Sequence, residues 1–325
     1  MTRRVLTGIQ PTGTPHLGNL LGAIRPALAL AESGLEAMYF IADYHALTTI
    51  HDRERLARHT REVAATWLAF GLDPERVLFY RQSDIPEIFE LAWVLACHAS
   101  KSWLDRAHAH KAAVAAGAEE IGLGLFLYPL LMAADILAFD TDLVPVGRDQ
   151  VQHIEIARDI AQRFNHEHGP DLLKPPNALV DDGCSANVPG IDGRKMSKSY
   201  GNTLPLFAPA KQLRKLVGQI VTDSSPPEAP KDPDTSLVHQ IYRAVASPDE
   251  ARALADRLRA GIGWGDAKQT LFERLDAELA APRERYAHLM TDPVALDALL
   301  AAGAAKARPM ARAVLDRVRR AIGID

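Results

Sequence analysis

Cysteine is almost missing from this chain, with only Cys97 and Cys184 in 325 residues. Two thiols so far apart cannot build a disulfide framework. Neither has a neighbouring Cys with which to start a zinc or iron–sulfur centre. No protein-bound zinc or iron–sulfur cluster is therefore expected, and a reducing, cytoplasmic setting is. Long apolar runs are also missing: nothing approaches the ~18–20 residues of a membrane span. The opening MTRRVLTGIQ has two arginines, but Gly8 and Gln10 interrupt any apolar stretch behind them, so no signal peptide is expected. Charge of one sign is lacking as well. Lys and Arg number 37 against 41 Asp and Glu, a net −4 that does not advertise nucleic acid. Repeats and low-complexity tracts are absent.

What is present is an ordinary globular balance, 47% hydrophobic and 24% charged, in a chain long enough for two domains. The first half alternates strand-like and helix-like stretches. Residues 4–8, 37–42, 77–80 and 143–147 read as strands; residues 52–70, 85–98 and 149–164 read as helices. Thr14 reads as an N-cap and Pro15 as the first position of a helix through about residue 31. Such alternation means a mostly parallel, doubly wound α/β sheet with ligands at the carboxyl ends of its strands. Four prolines in residues 224–234 forbid a helix there. Beyond them, residues 237–246, 248–260, 265–280, 283–290, 293–302 and 306–322 read as separate helices. The last of these carries Lys306, Arg308, Arg312, Arg317, Arg319 and Arg320, which reads first as a solvated helix face and only second as an RNA contact.

Two segments carry chemistry. Gly13-x4-Gly18 has the spacing of a phosphate-cradling loop, but Asn19 stands where its lysine belongs. What remains is a helix N-terminus with His16 and Asn19 one turn apart, both able to donate to a phosphate oxygen. Residues 193–202, GRKMSKSYGN, place Lys195 and Lys198 in a cationic loop bounded by glycines.

In that order, the two segments resemble the signatures of the class I aminoacyl-tRNA synthetases. His16-Leu17-Gly18-Asn19 is similar to the His-Ile-Gly-His signature, and Lys195 to Ser199 repeats Lys-Met-Ser-Lys-Ser letter for letter. Within the class the likeness is to the bacterial tryptophanyl branch. It runs through residues 8–19, 128–137 (YPLLMAADIL), 141–165 and 221–224 (VTDS). Arg148 stands where an acidic residue is common, and residues 107–113, with His108, His110 and Lys111, also depart from many relatives.

The resemblance implies activation of L-tryptophan by ATP to tryptophanyl-adenylate and pyrophosphate, then transfer to tRNA(Trp). It implies a Rossmann-type catalytic domain over 1–204 and an all-helical anticodon-binding domain over 205–325, whose last helix has room to pack back on the first, in a homodimer. As a carboxylate attacks the α-phosphate, charge builds on phosphate oxygens, so positioning and charge stabilisation carry the catalysis. His16 and Asn19 suit the α-phosphate region; Lys195 and Lys198 suit the leaving pyrophosphate. The resemblance further implies an ATP site of Gln10, Pro11, Thr12, Gly18, Asn19, Gly147, Arg148, Asp149 and Val188 with Lys195, Met196, Ser197, Lys198 and Ser199. Mg²⁺ would ride on phosphate oxygens and water. For tryptophan it implies Asp135 as acceptor of the indole N–H, with Met132 against the ring, Tyr128 and Gln150 near the ammonium and carboxylate, and His45 at the ligand edge of the second strand. Alternatives are a tyrosyl enzyme of the same class, a small nucleotidylyltransferase, and a silent paralogue that only binds RNA or a partner.

Overall fold

The computed structural model describes residues 2–105, 122–180 and 188–324, with Asp149 followed in its backbone only. His108, His110, Lys111 and Cys184 lie outside those residues. Five strands form one parallel sheet: β1 (Arg4–Ile9), β2 (Glu36–Ile41), β3 (Leu78–Arg81), β4 (Leu143–Val146) and β5 (Asn177–Val180). Their order is β3-β2-β1-β4-β5, so the winding reverses between β1 and β4. That reversal opens a crevice at the carboxyl ends of those two strands.

Successive side chains explain why both faces are covered. Val5, Tyr39, Ile41 and Phe79 enter one core; their neighbours Leu6, Met38, Phe40, Tyr80 and Val144 enter the other. The helices are α1 (Leu17–Asn19), continued by a π turn (Leu20–Ile24) into α2 (Arg25–Glu32), then α3 (Asp43–Ala46), α4 (Arg53–Ala69), α5 (Glu87–His98), α6 (Lys101–Asp105), α7 (Leu123–Leu137) and α8 (Val151–His168). After the lysine loop the chain is helical: α9 (Ala210–Gly218), α10 (Leu237–Val245), α11 (Pro248–Ala260), α12 (Trp264–Leu289) and α13 (Pro293–Ile322). No described helix is long and apolar enough to cross a membrane.

Four local expectations change. Pro15 does not open the first helix, because residues 15–17 run extended against 204–206. Leu17 N–H donates to Leu204 O at 2.9 Å, and Leu206 N–H to Pro15 O at 3.3 Å. The cap is therefore His16 rather than Thr14. Helix α12 runs unbroken through Pro282, and α13 through residues 303–305, where the sequence predicts a break, and on through Pro309. An interior proline costs about 3 kcal/mol, and tertiary packing offsets it here. Leu279 and Pro282 are buried, and Tyr286 stacks on Phe207 with centroids 3.7 Å apart. Around Pro309, Ala307 and Ala311 enter the sheet's second core.

The cationic stretch of α13 is not simply solvated. Lys306, Arg308, Arg317 and Arg319 reach Glu75, Glu87, Asp140 and Glu90 of the first half of the chain, and Arg312 pairs with Asp316. Gly303 lets α13 touch the edge strand itself, since a Cβ there would sit 1.8 Å from Phe79 O. The last helix thus belongs to the sheet's packing, and its charges serve that contact.

Candidate active site

The first signature loop leaves β1 at the sheet's switch point. His16 N–H donates to Asn19 Oδ1 at 3.1 Å, which sets the first turn of α1. The His16 ring rests over Gly18, where a Cβ would lie 3.1 Å from it. His16 is buried, and its Nδ1 has no hydrogen-bond partner among the described residues. Burial, and next the neighbouring Lys198 ammonium, push its pKa down from 6.5 to about 4. At pH 7 the ring is therefore neutral.

The lysine loop closes over this helix start. The side chain of Asn202 fastens it: Oδ1 accepts from Ser197 N–H at 2.8 Å, while Nδ2 donates to Asp192 Oδ1 at 2.7 Å and Lys195 O at 3.1 Å. Asn202 is only 2% exposed, so each of these bonds stands in for lost water. Arg194 lies over the Tyr200 ring at 4.4 Å, and the hydroxyls of Ser197 and Ser199 meet at 2.8 Å. Burial lowers the Lys198 pKa, and the Glu62 carboxylate opposes that shift.

Two adjoining cavities result. One, of about 540 Å³, is lined by Thr12, His16, Gly18, Asn19, Val188 and all five residues from Lys195 to Ser199. Among the described residues its lining holds cations, an amide and hydroxyls and no carboxylate, which suits a polyphosphate. The other, of about 380 Å³, is mostly apolar and takes in His45, Tyr128, Met132, Asp135 and Gln150, with Gln10 and Gly147. Gly22 and Ala23, in the π turn, wall both. Of the expected ATP residues, Pro11 is buried and Arg148 sits in an exposed turn; neither lines either of these two cavities. Asp149 follows Arg148 in that turn.

Asp135 is fully buried on α7 and is the polar centre of the second cavity. His45 Nε2 lies 2.8 Å from its Oδ2, and Gln82 Nε2 donates to both oxygens at 2.8 and 2.9 Å. Burial raises the carboxyl pKa, and these bonds pull it back. The Tyr128 hydroxyl lies 2.5 Å from His153 Nε2, which fixes the phenol at the cavity wall.

A model of "tRNA synthetases class I (W and Y)" matches residues 2–280. The chain belongs to this family. A tryptophan--tRNA ligase of Xanthomonas axonopodis pv. citri is 55% identical over 333 aligned residues, covering 100% of this chain and 77% of the relative. One from Pseudomonas putida is 52% identical, covering 100% and 74%. A solved tryptophanyl-tRNA synthetase of Campylobacter jejuni, complexed with ADP and tryptophan, superposes with a TM-score of 0.91 at 42% identity, over 98% of this chain and 99% of its own.

Two residues of the synthetase site escape sequence reasoning. Gln82 approaches Asp135 only through the fold, from 53 positions away. Asn202 had a signal, a polar residue three beyond the lysine motif, but its burial did not show in the spacing.

Proposed function

We propose that this synthetase is a tryptophan--tRNA ligase, making tryptophanyl-adenylate and pyrophosphate from tryptophan and ATP, then esterifying tRNA(Trp). The observation that carries this reading is the buried Asp135 carboxylate in the wall of a mostly apolar cavity that adjoins a second one lined by His16, Asn19, Lys195 and Lys198. Asp135 accepts the indole N–H. A phenol would present its polar group elsewhere, and a phenyl ring would offer the carboxylate no donor beyond those of His45 and Gln82; sites built on a hydrogen bond to the substrate discriminate ~10⁴-fold or more against an analogue that lacks it. Met132 packs the ring, His45 and Gln82 hold the carboxylate in place, and Tyr128 and Gln150 meet the ammonium and carboxylate.

In the neighbouring cavity His16 and Asn19 donate to the α-phosphate, while Lys195 and Lys198 stabilise departing pyrophosphate. Gln10, Thr12, Gly18, Gly147 and Val188, with the lysine-loop backbone, bind ATP, which enters as its Mg²⁺ complex. The described lining of lysines, hydroxyls and Asn19 suits a metal carried on phosphate and water.

The catalytic part spans 1–204. The helices from 205 onward carry anticodon reading, with α13 bound to the catalytic part. A homodimer is supported by exposed apolar side chains, Trp93 at 73% and Leu123 at 76%. The setting is cytoplasmic. Charging of a tRNA(Trp) transcript with labelled tryptophan tests the reading. Ester formation with tryptophan but not tyrosine supports it, and tyrosine charging overturns it.

A further inference from the structure

Helices α5 and α8 end side by side, each on a histidine: His98 closes α5 and His168 closes α8. We propose that these two imidazoles and the Glu167 carboxylate bind one zinc ion, away from the two substrate cavities. One nitrogen of each ring and one Glu167 oxygen all lie within 4.8 Å of one another. His98 Nδ1 is 2.7 Å from Glu167 Oε2. The two imidazoles meet edge to face, centroids 4.8 Å apart, and Phe164 backs both rings at 5.0 and 4.7 Å. Arg163 Nε donates to the other carboxylate oxygen, Oε1, at 2.8 Å, which leaves Oε2 to His98.

Three features single this cluster out. His168 Nε2 is buried and has no hydrogen-bond partner among the described residues, a cost that metal ligation removes. Both helices bring their C-terminal ends, each equivalent to about half a negative charge, to the same spot. The donor set of two neutral nitrogens and one carboxylate oxygen is a zinc set, completed by water as a fourth ligand. Zinc holds its ligands at about 2.0–2.2 Å, so tetrahedral donors stand roughly 3.3 Å apart; His98 Nδ1 and Glu167 Oε2, at 2.7 Å, are already inside that spacing. Mg²⁺ is excluded as the preferred ion because it favours six oxygens. The site would pin the end of α5, just before α6, onto α8. Counting cysteines cannot find such a site, because it uses none.

The test uses the full-length protein, stripped with a chelator and desalted, in a phosphate-free buffer at pH 7.5. Zinc chloride is titrated against a chromophoric chelator. One equivalent per chain is expected, undisturbed by millimolar Mg²⁺. His98→Ala and His168→Ala should abolish it, and the near-isosteric Glu167→Gln should weaken it at least tenfold. Cys97→Ser, at the exposed thiol next in sequence, should leave it unchanged. Zinc should raise the melting temperature of wild type but not of His98→Ala. Amino-acid-dependent ATP exchange of each variant checks that it has folded. No saturable binding to wild type overturns the proposal. So does binding that survives both histidine changes or is lost in Cys97→Ser.

Discussion

Lys198 lies across Gly13. A Cβ built on Gly13 would come 3.2 Å from Lys198 Cδ and 3.3 Å from Nζ, and Gly13 itself has a φ of +142° that favours glycine. The second signature thus rests directly on the first, although 185 positions separate them in the chain. The ammonium is delivered to the polyphosphate cavity along a track only a glycine leaves open.

If Lys198 stabilises departing pyrophosphate, Lys198→Ala should slow adenylate formation by ~10²–10³, about 2–4 kcal/mol, with tryptophan affinity nearly unchanged. Single-turnover measurement of adenylate at saturating substrates checks this. A parent-like rate removes Lys198 from the chemistry. Gly13→Ala should produce the same kind of defect, because the added methyl displaces the lysine.

Asn202 acts by holding the lysine loop, so its loss should be repairable through its partner. Asn202→Asp sets a carboxylate against Asp192, 2.7 Å from the present amide, and should lower the activation rate at least tenfold. Adding Asp192→Asn restores an amide–carboxylate pair with donor and acceptor exchanged, and should recover much of that loss. Non-additivity in this double-mutant cycle is the expected result; simple addition of the two defects would contradict it.

The fold was legible wherever local pattern and tertiary burial agree. Strands β1 to β4 announce themselves as short apolar runs because both sheet faces are covered. Strand β5 did not: Asn177–Val180 is a four-residue edge strand that directly follows two prolines, so its apolar stretch is too short and too close to a breaker to stand out. The sequence predicts breaks in α12 at residues 281–282 and in α13 at residues 303–305, around Pro282 and Gly303, since a local rule cannot see the packing that keeps each helix continuous. In the site, lysines and histidine were readable from motif chemistry. Gln82 was not, because its only distinguishing property is where β3 ends relative to α7.

The depressed pKa of His16 gives a signed pH dependence. Free histidine titrates near 6.5 and folded His16 near 4, so below pH 6.5 the unfolded chain takes up a proton that the native state refuses. Wild type should therefore lose stability relative to His16→Asn as pH falls from about 6.5 to about 4, by at most about 3 kcal/mol. Above pH 7 the difference should be flat. Urea melts of both proteins across pH 4.5–7.5 measure it, and parallel pH profiles would show that His16 titrates normally.

Asp135 separates specificity from stability. Asp135→Ala should cost about 1–3 kcal/mol in tryptophan binding, and Asp135→Asn should fall between it and wild type, since its carbonyl still accepts the indole N–H. In both, the preference for tryptophan over tyrosine should shrink. A properly folded Asp135→Asn enzyme with an unchanged preference would take Asp135 out of substrate recognition, leaving it a core residue paired with His45 and Gln82.

The measurement that bears most directly on the whole account is pyrophosphate–ATP exchange by the purified protein, screened over all twenty amino acids. Exchange is expected with tryptophan, at a rate far above that with tyrosine or phenylalanine. Exchange driven by tyrosine instead, or by no amino acid at all, would contradict it.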